Sequence, residues 1–290
     1  MVEAGDVTAP ALVLLHGIGS SGDAFGAQFP AFADRWHLLA PDAPGYGESD
    51  DPSAAPGIDG FADAVARLLD DTGIDRAVVL GVSWGGVIAT RFALRHPNRL
   101  RALVLSDTSR GSGFDPERTA MMAERAAQYA ADPVGFVRDR TPLLVADTTA
   151  ASVVADIAAI MDRACRMPGY GYAAASLGET DHTADLGRIH VPTLVVVGEH
   201  DRVCPPADSR VLADGIDGAV YVEVPDSGHL PNQECPEVFN RIVGDWLEGL
   251  PVWSCADRRW VRRFAPSPRR CSGRCGPAQP PRHEVRPSGS

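Results

Sequence analysis

Short apolar runs recur along the chain, and each stops at polar or glycine residues. Ala11–Leu15, Leu38–Ala40, Ala77–Leu80, Ala102–Leu105, Thr193–Val197 and Val220–Val224 have this form. They predict strands buried on both faces. Helix-period stretches lie between them. Phe61, Val65, Leu68 and Leu69 fall at i, i+4, i+7 and i+8. Val238, Phe239, Ile242, Val243, Trp246, Leu247 and Leu250 share one face after Pro236, a residue suited to a first helical turn. Strand–helix alternation predicts a parallel sheet with helices on both faces.

From about Gly111 to Arg188 the alternation stops. Val153, Val154, Ile157, Ile160 and Met161 keep a helical period, and no convincing strand occurs there. The organisation expected is a first core part over 1–110, a helical lid over 111–188 and a second core part over 189–250. Residues 251–290 hold seven Pro and nine Arg with no apolar periodicity, which reads as a disordered tail. Its Cys271, Cys275 and His283 form a weak metal pattern, and no metal site is expected.

Composition narrows the chemistry. The 290 residues are 44% hydrophobic and 22% charged, as in a globular protein with a sizeable core. All 27 basic residues are arginine. The absence of lysine excludes Schiff-base chemistry, a pyridoxal-phosphate lysine and a P-loop lysine. Residues 1–250 carry 18 Arg against 36 acids, a poor surface for nucleic acid. Three cysteines lie scattered in that part and three in the tail, so no disulfide framework is read. No secretory leader and no membrane span are apparent. The expectation is a cytoplasmic protein acting on a small molecule without nucleic-acid or membrane partners.

Four loops carry the candidate chemistry. Gly81-Val82-Ser83-Trp84-Gly85 sits between a predicted strand and a predicted helix, where a serine occupies a sharp turn with its hydroxyl exposed. His16-Gly17-Ile18-Gly19 follows the first of the apolar runs. The backbone N–H groups of Ile18 and Trp84 are the candidate oxyanion hole. Gly198-Glu199-His200-Asp201 and Asp226-Ser227-Gly228-His229 follow the last two runs. A serine needs a base, and the base needs a carboxylate to hold its tautomer. The candidates are Ser83 as nucleophile, His229 as base and Asp201 as acid, with Asp107 as rival acid. His16, His96 and His200 read as structural or loop residues, and Asp42–Ser49 as a turn that shapes the pocket.

On these residues the chain resembles the α/β-hydrolase superfamily over 11–250. The resemblance rests on His16–Gly19, Asp42–Ser49, Gly81–Gly86, Val191–Leu194 with Gly198–Asp201, and Gly228-His229. Leu103–Thr108 and the helical lid look most like the 3-oxoadipate enol-lactonase-like esterases. Members of this superfamily usually begin with a β-hairpin, whereas only fifteen residues precede His16. Either the first two strands are reduced or the start is truncated. The resemblance implies an α/β-hydrolase fold and a cofactor-independent serine hydrolase of small carboxylic esters or lactones. The alternatives are a C–C bond hydrolase of a vinylogous diketone, a perhydrolase or haloperoxidase-like activity, and a non-catalytic ligand-binding homologue. In the lid, Met121, Met161 and Tyr170 are candidate substrate contacts. Arg138, Arg140, Arg163 and Arg166 read as solvated helix charges, one of which could face a substrate carboxylate.

Overall fold

The computed structural model describes residues 1–250. The expected tail, with Cys271, Cys275 and His283, lies outside the described residues.

Among the described residues seven strands form one sheet: β1 (Val2–Ala4), β2 (Ala11–Leu15), β3 (His37–Ala40), β4 (Ala77–Val82), β5 (Leu100–Ser106), β6 (Thr193–Gly198) and β7 (Val220–Val224). Their order across it is β1-β3-β2-β4-β5-β6-β7. β1 pairs antiparallel with β3, and every other pairing is parallel. Parallel strands need helical crossovers, which cover both faces and demand apolar residues throughout. β2 and β4 are accordingly buried along their whole length. β7, at the sheet edge, keeps Glu223 exposed while Val224 is buried. β1 escaped the reading of the apolar pattern because three residues carry no periodicity.

The helices are α1 (Phe29–Phe32), α2 (Gly57–Asp71), α3 (Trp84–Arg95), α4 (Pro116–Ala131), α5 (Pro133–Arg140), α6 (Ala151–Ala164), α7 (Gly169–Glu179), α8 (Pro206–Gly215), α9 (Pro231–Glu234) and α10 (Pro236–Glu248). The apolar face expected of the 61–69 stretch belongs to α2, which buries Phe61, Val65 and Leu69. In the 238–250 stretch, α10 starts at Pro236 and buries Phe239, Ile242, Val243 and Leu247. Between β5 and β6 the described chain forms α4 to α7 and short 3-10 turns, with no strand.

Parallel pairing puts the carboxyl ends of β2, β4, β5, β6 and β7 on one edge, where α/β sheets hold their ligands. Val82 pairs with Ser106, Ser106 with Val196, and Gly198 with Val224. The next hydrogen bonds continue that register into the loops. Ser83 N–H donates to Ser106 O at 2.8 Å, Asp107 N–H to Val196 O at 2.9 Å, and Glu199 N–H to Val224 O at 2.9 Å.

Candidate active site

Ser83 stands between β4 and α3 with φ 55° and ψ -121°. This is a left-handed backbone that an L-residue adopts only where its surroundings enforce it. The enforcement comes from close backbone approach. A Cβ on Gly81 would lie 2.2 Å from Gly85 O, and one on Gly85 would lie 2.2 Å from Leu15 O. Both positions therefore admit only glycine, and the turn lifts the Ser83 hydroxyl toward the loops after β6 and β7.

His229 meets it there. Its Nε2 lies 2.9 Å from Ser83 Oγ, and its Nδ1 lies 2.8 Å from Asp201 Oδ2. An ionised carboxylate only accepts hydrogen bonds, so Nδ1 carries the proton and Nε2 is left to accept from the serine hydroxyl. Asp201 is 3% exposed and His229 3%. The other oxygen of Asp201 accepts from Val203 N–H at 2.8 Å and Cys204 N–H at 3.0 Å. These bonds hold the carboxylate independently of the histidine.

Asp107 also has a left-handed backbone, with φ 50°, and is fully buried. It points elsewhere: Oδ1 accepts from Gly198 N–H at 2.8 Å, and Oδ2 is bonded to the Ser106 hydroxyl. Burial and the nearby Asp201 carboxylate push its pKa well above the usual carboxylate range. Between the two rivals, the carboxylate joined to His229 is Asp201.

Glu234, at the end of α9, is a residue the sequence reading passed over. One carboxylate oxygen accepts from Gly228 N–H and Leu230 N–H, each at 3.0 Å. The other accepts from Ala146 N–H at 2.8 Å and from the Thr149 hydroxyl at 2.6 Å. His229 N–H adds a bond to Leu144 O at 2.9 Å. Thus one side chain holds the histidine loop and ties it to the segment between α5 and α6. A lone glutamate five positions after a histidine carries no pattern that would have revealed this.

The Ser83 hydroxyl opens into a cavity of about 440 Å³, the size of a small-molecule site. Ile18, Trp84 and His229 line it from the strand-end loops, and Met121, Met161 and Tyr170 from the helices between β5 and β6. Trp84 N–H, as the first of α3, has no acceptor within its own helix. The Trp84 ring turns away from solvent: its indole N–H donates to Ser176 Oγ at 3.0 Å, and it packs edge-on to Phe61 at 4.7 Å.

His16 is buried. Its Nε2 accepts from Ala43 N–H at 2.9 Å, which leaves Nδ1–H to donate to Gly17 O at 2.8 Å. Burial pushes its pKa down, as suits a neutral, bridging ring. His96 caps the end of α3 and bonds Asp63 at 2.7 Å. The turn from Asp42 to Ser49 does not line the Ser83 cavity. It borders a smaller one against α2 and braces the helices, with Gly47 N–H bonded to Ala164 O at 2.9 Å and Arg166 to Gly47 O at 2.6 Å.

Among the described residues, two groups have oxygen and nitrogen atoms close enough for a metal ion: Asp107 with Asp201 and His229, and Glu199 with His200 and Asp226. In the first, every side chain is already hydrogen-bonded within the protein. The second is exposed. Among the described residues, no helix is long and apolar enough to cross a membrane.

Comparison with known proteins agrees with this architecture. The chain is 26% identical over 242 residues to 3-oxoadipate enol-lactonase 2 of Acinetobacter baylyi, spanning 82% of this chain and 89% of that protein. It is 30% identical over 245 residues to the pimeloyl-[acyl-carrier protein] methyl ester esterase of Chromobacterium violaceum, spanning 82% of this chain and 94% of the relative. A thermophilic esterase from Thermogutta terrifontis superposes with a TM-score of 0.78 at 29% identity, covering 86% of this chain and 92% of that one. Residues 10–234 match the model of the alpha/beta hydrolase fold family, and the chain is a member of it.

Proposed function

We propose that the protein is a cofactor-independent serine hydrolase that cleaves a small carboxylic ester or lactone through an acyl-enzyme. The observation that carries this reading is the Asp201–His229–Ser83 hydrogen-bonded chain at the base of the cavity. In this reading His229 Nε2 takes the proton of Ser83 as Oγ attacks the acyl carbonyl. Asp201 stabilises the imidazolium that forms. The N–H groups of Ile18 and Trp84 hold the negative oxygen of the tetrahedral intermediate. His229 then returns the proton to the leaving alcohol, and a water activated by the same ring releases the acid.

The names of the relatives support the substrate class, since they include an enol-lactonase and a methyl ester esterase. The helices between β5 and β6 act as a lid in this account. A cavity of about 440 Å³ suits acyl groups of modest size and disfavours long chains or polymers.

A fluorophosphonate probe should label the wild-type protein and leave Ser83→Ala unlabelled and inactive. p-Nitrophenyl acetate and butyrate should turn over, with steep loss by decanoate, and activity should persist in EDTA. Labelling that survives Ser83→Ala would overturn the assignment of the nucleophile. Turnover of a vinylogous diketone with none of any ester or lactone would replace ester cleavage by C–C hydrolysis.

A further inference from the structure

In the described part of the chain, arginines are outnumbered two to one by carboxylates. An arginine left without an acidic partner is therefore informative. Four line the Ser83 cavity: Arg118, Arg125, Arg140 and Arg202. Arg118 is paired with Asp208 at 2.7 Å, and Arg202 with Asp147 at 3.1 Å. Arg125 and Arg140 make no ion pair among the described residues, and the Nε of each is buried without a hydrogen-bond partner. The Arg125 guanidinium lies 3.6 Å from Met122 Sδ, a poor acceptor for a cation, and hydrogen-bonds the Tyr170 phenol, and neither of these neutralises its charge.

The two belong to one place. Arg125 comes from α4 and Arg140 from the last position of α5. Each acts electrostatically on the Tyr170 phenol, and Arg140 is also within reach of the Asp201 field. Burial and repulsion by Arg125 push the Arg140 guanidinium down to about 10, which still leaves it charged at neutral pH. The surroundings are apolar, with Met121, Met122, Leu143 and Leu144 on the same cavity wall. Two like charges held in such a wall are costly unless an anion joins them. A carboxylate fits, because the planar guanidinium presents paired donors to it.

We propose that Arg125 and Arg140 form an anion subsite, and that the ester or lactone cleaved at Ser83 carries a carboxylate remote from the bond that breaks. The inference rests on the serine-hydrolase reading of the same cavity. Of the four lid arginines considered from sequence, it selects Arg140. Arg138 and Arg163 pair with Asp139 and Asp23 at the surface, and Arg166 is bound to Asp51 and to the turn at Gly47.

The test uses mono-p-nitrophenyl glutarate beside p-nitrophenyl butyrate, with free glutarate as a binding probe. The ratio of kcat/KM for the anionic over the neutral ester should fall about tenfold or more in Arg125→Met and in Arg140→Met, while Arg140→Lys keeps most of it. Because each variant supplies its own neutral reference, a general loss of folded protein cancels. Glutarate, measured by calorimetry, should bind the wild type about tenfold or more tighter than the Arg125→Met/Arg140→Met double variant. Equal glutarate binding by both proteins overturns the subsite, and so does a ratio that no variant changes. Failure of the hydrolase reading would look different: no ester of either kind would turn over, and the fluorophosphonate would not label Ser83. The glutarate arm would still decide the subsite.

Discussion

At the base of the cavity the turns that carry Ser83 and Asp107 are placed by backbone contacts, whereas the helices over it are tied down largely by side chains. Ser83 and Asp107 stand one step beyond paired strands and Asp201 three, and sheet hydrogen bonds continue into their loops. Glycines pack backbone on backbone at Gly81 and Gly85. Above them, Glu234 grips Ala146 and Thr149, and Trp84 reaches Ser176. Tyr129 stacks on Tyr170 at 4.8 Å. Backbone pairing tolerates almost any side chain, whereas contacts made by side chains depend on which residues stand there. In the proposed function, chemistry belongs to the first region and selection to the second.

The largest expected effect separates the two carboxylates of the base. Asp201→Asn should cost about four orders of magnitude in kcat/KM, because an amide no longer fixes the histidine tautomer. Asp107→Asn should cost less than about tenfold, since the amide resembles the protonated acid that burial favours. The reverse ranking would hand the role to Asp107. The same substitution has a pH signature. A carboxyl whose folded pKa lies above the usual 3.8 loses stability as pH rises from there through the folded value. Asp107→Asn should therefore raise Tm at neutral pH, with a gain that vanishes near pH ~4.

Glu234 joins the two regions, and its loss should damage both. Glu234→Ala removes charge-assisted bonds to Gly228, Leu230, Ala146 and Thr149. A destabilisation of about 3 kcal/mol is expected, or roughly 5–10 °C in Tm for a chain of this size. A fall in kcat should accompany it as the His229 loop loosens. A variant with lower Tm and unchanged kcat would show that the strand ends alone hold the histidine.

A smaller, conditional effect lies at the foot of the helices. His182 is buried and donates from Nε2 to Val87 O at 3.2 Å, and burial pushes it down to about 4. A histidine depressed below its ordinary 6.5 contributes stability above that pH, which is lost as pH falls toward the folded value. The loss is at most about 1.4 kcal/mol per pH unit. The Tm of the wild type should thus fall more steeply than that of His182→Gln between pH ~6.5 and ~4. Parallel curves would mean that His182 is protonated without cost. The smallest effect is expected from a chain ending at Leu250, since the family match stops at residue 234. Its Tm should stay within about 2 °C, and its turnover of butyrate ester within about twofold.

Much of the base was legible from residues alone. Strands buried on both faces must be continuously apolar, and a turn with no room for a Cβ must be glycine. These local demands wrote Ala77–Leu80 and Gly81–Gly85 into the chain, and with them the position of Ser83. The loops of Asp201 and His229 could be located for the same reason, because each follows a buried strand. Helical periodicity likewise marked the segment between β5 and β6, but not what its polar residues face. Arg138 and Arg140 stand two apart on one helix, yet one pairs at the surface and the other lines the cavity. Glu234 and Arg125 could not be distinguished from ordinary surface charges. What a charged side chain meets depends on elements far away in sequence: Glu234 reaches Ala146 across 88 positions, and Arg125 and Arg140 come together only because α4 and α5 fold over the same cavity. The sequence by itself determined the strands, the turns and where Ser83, Asp201 and His229 stand on them, because backbone sterics and burial act locally. The partner of each charge was decided by tertiary structure, because electrostatic contacts follow distance in space.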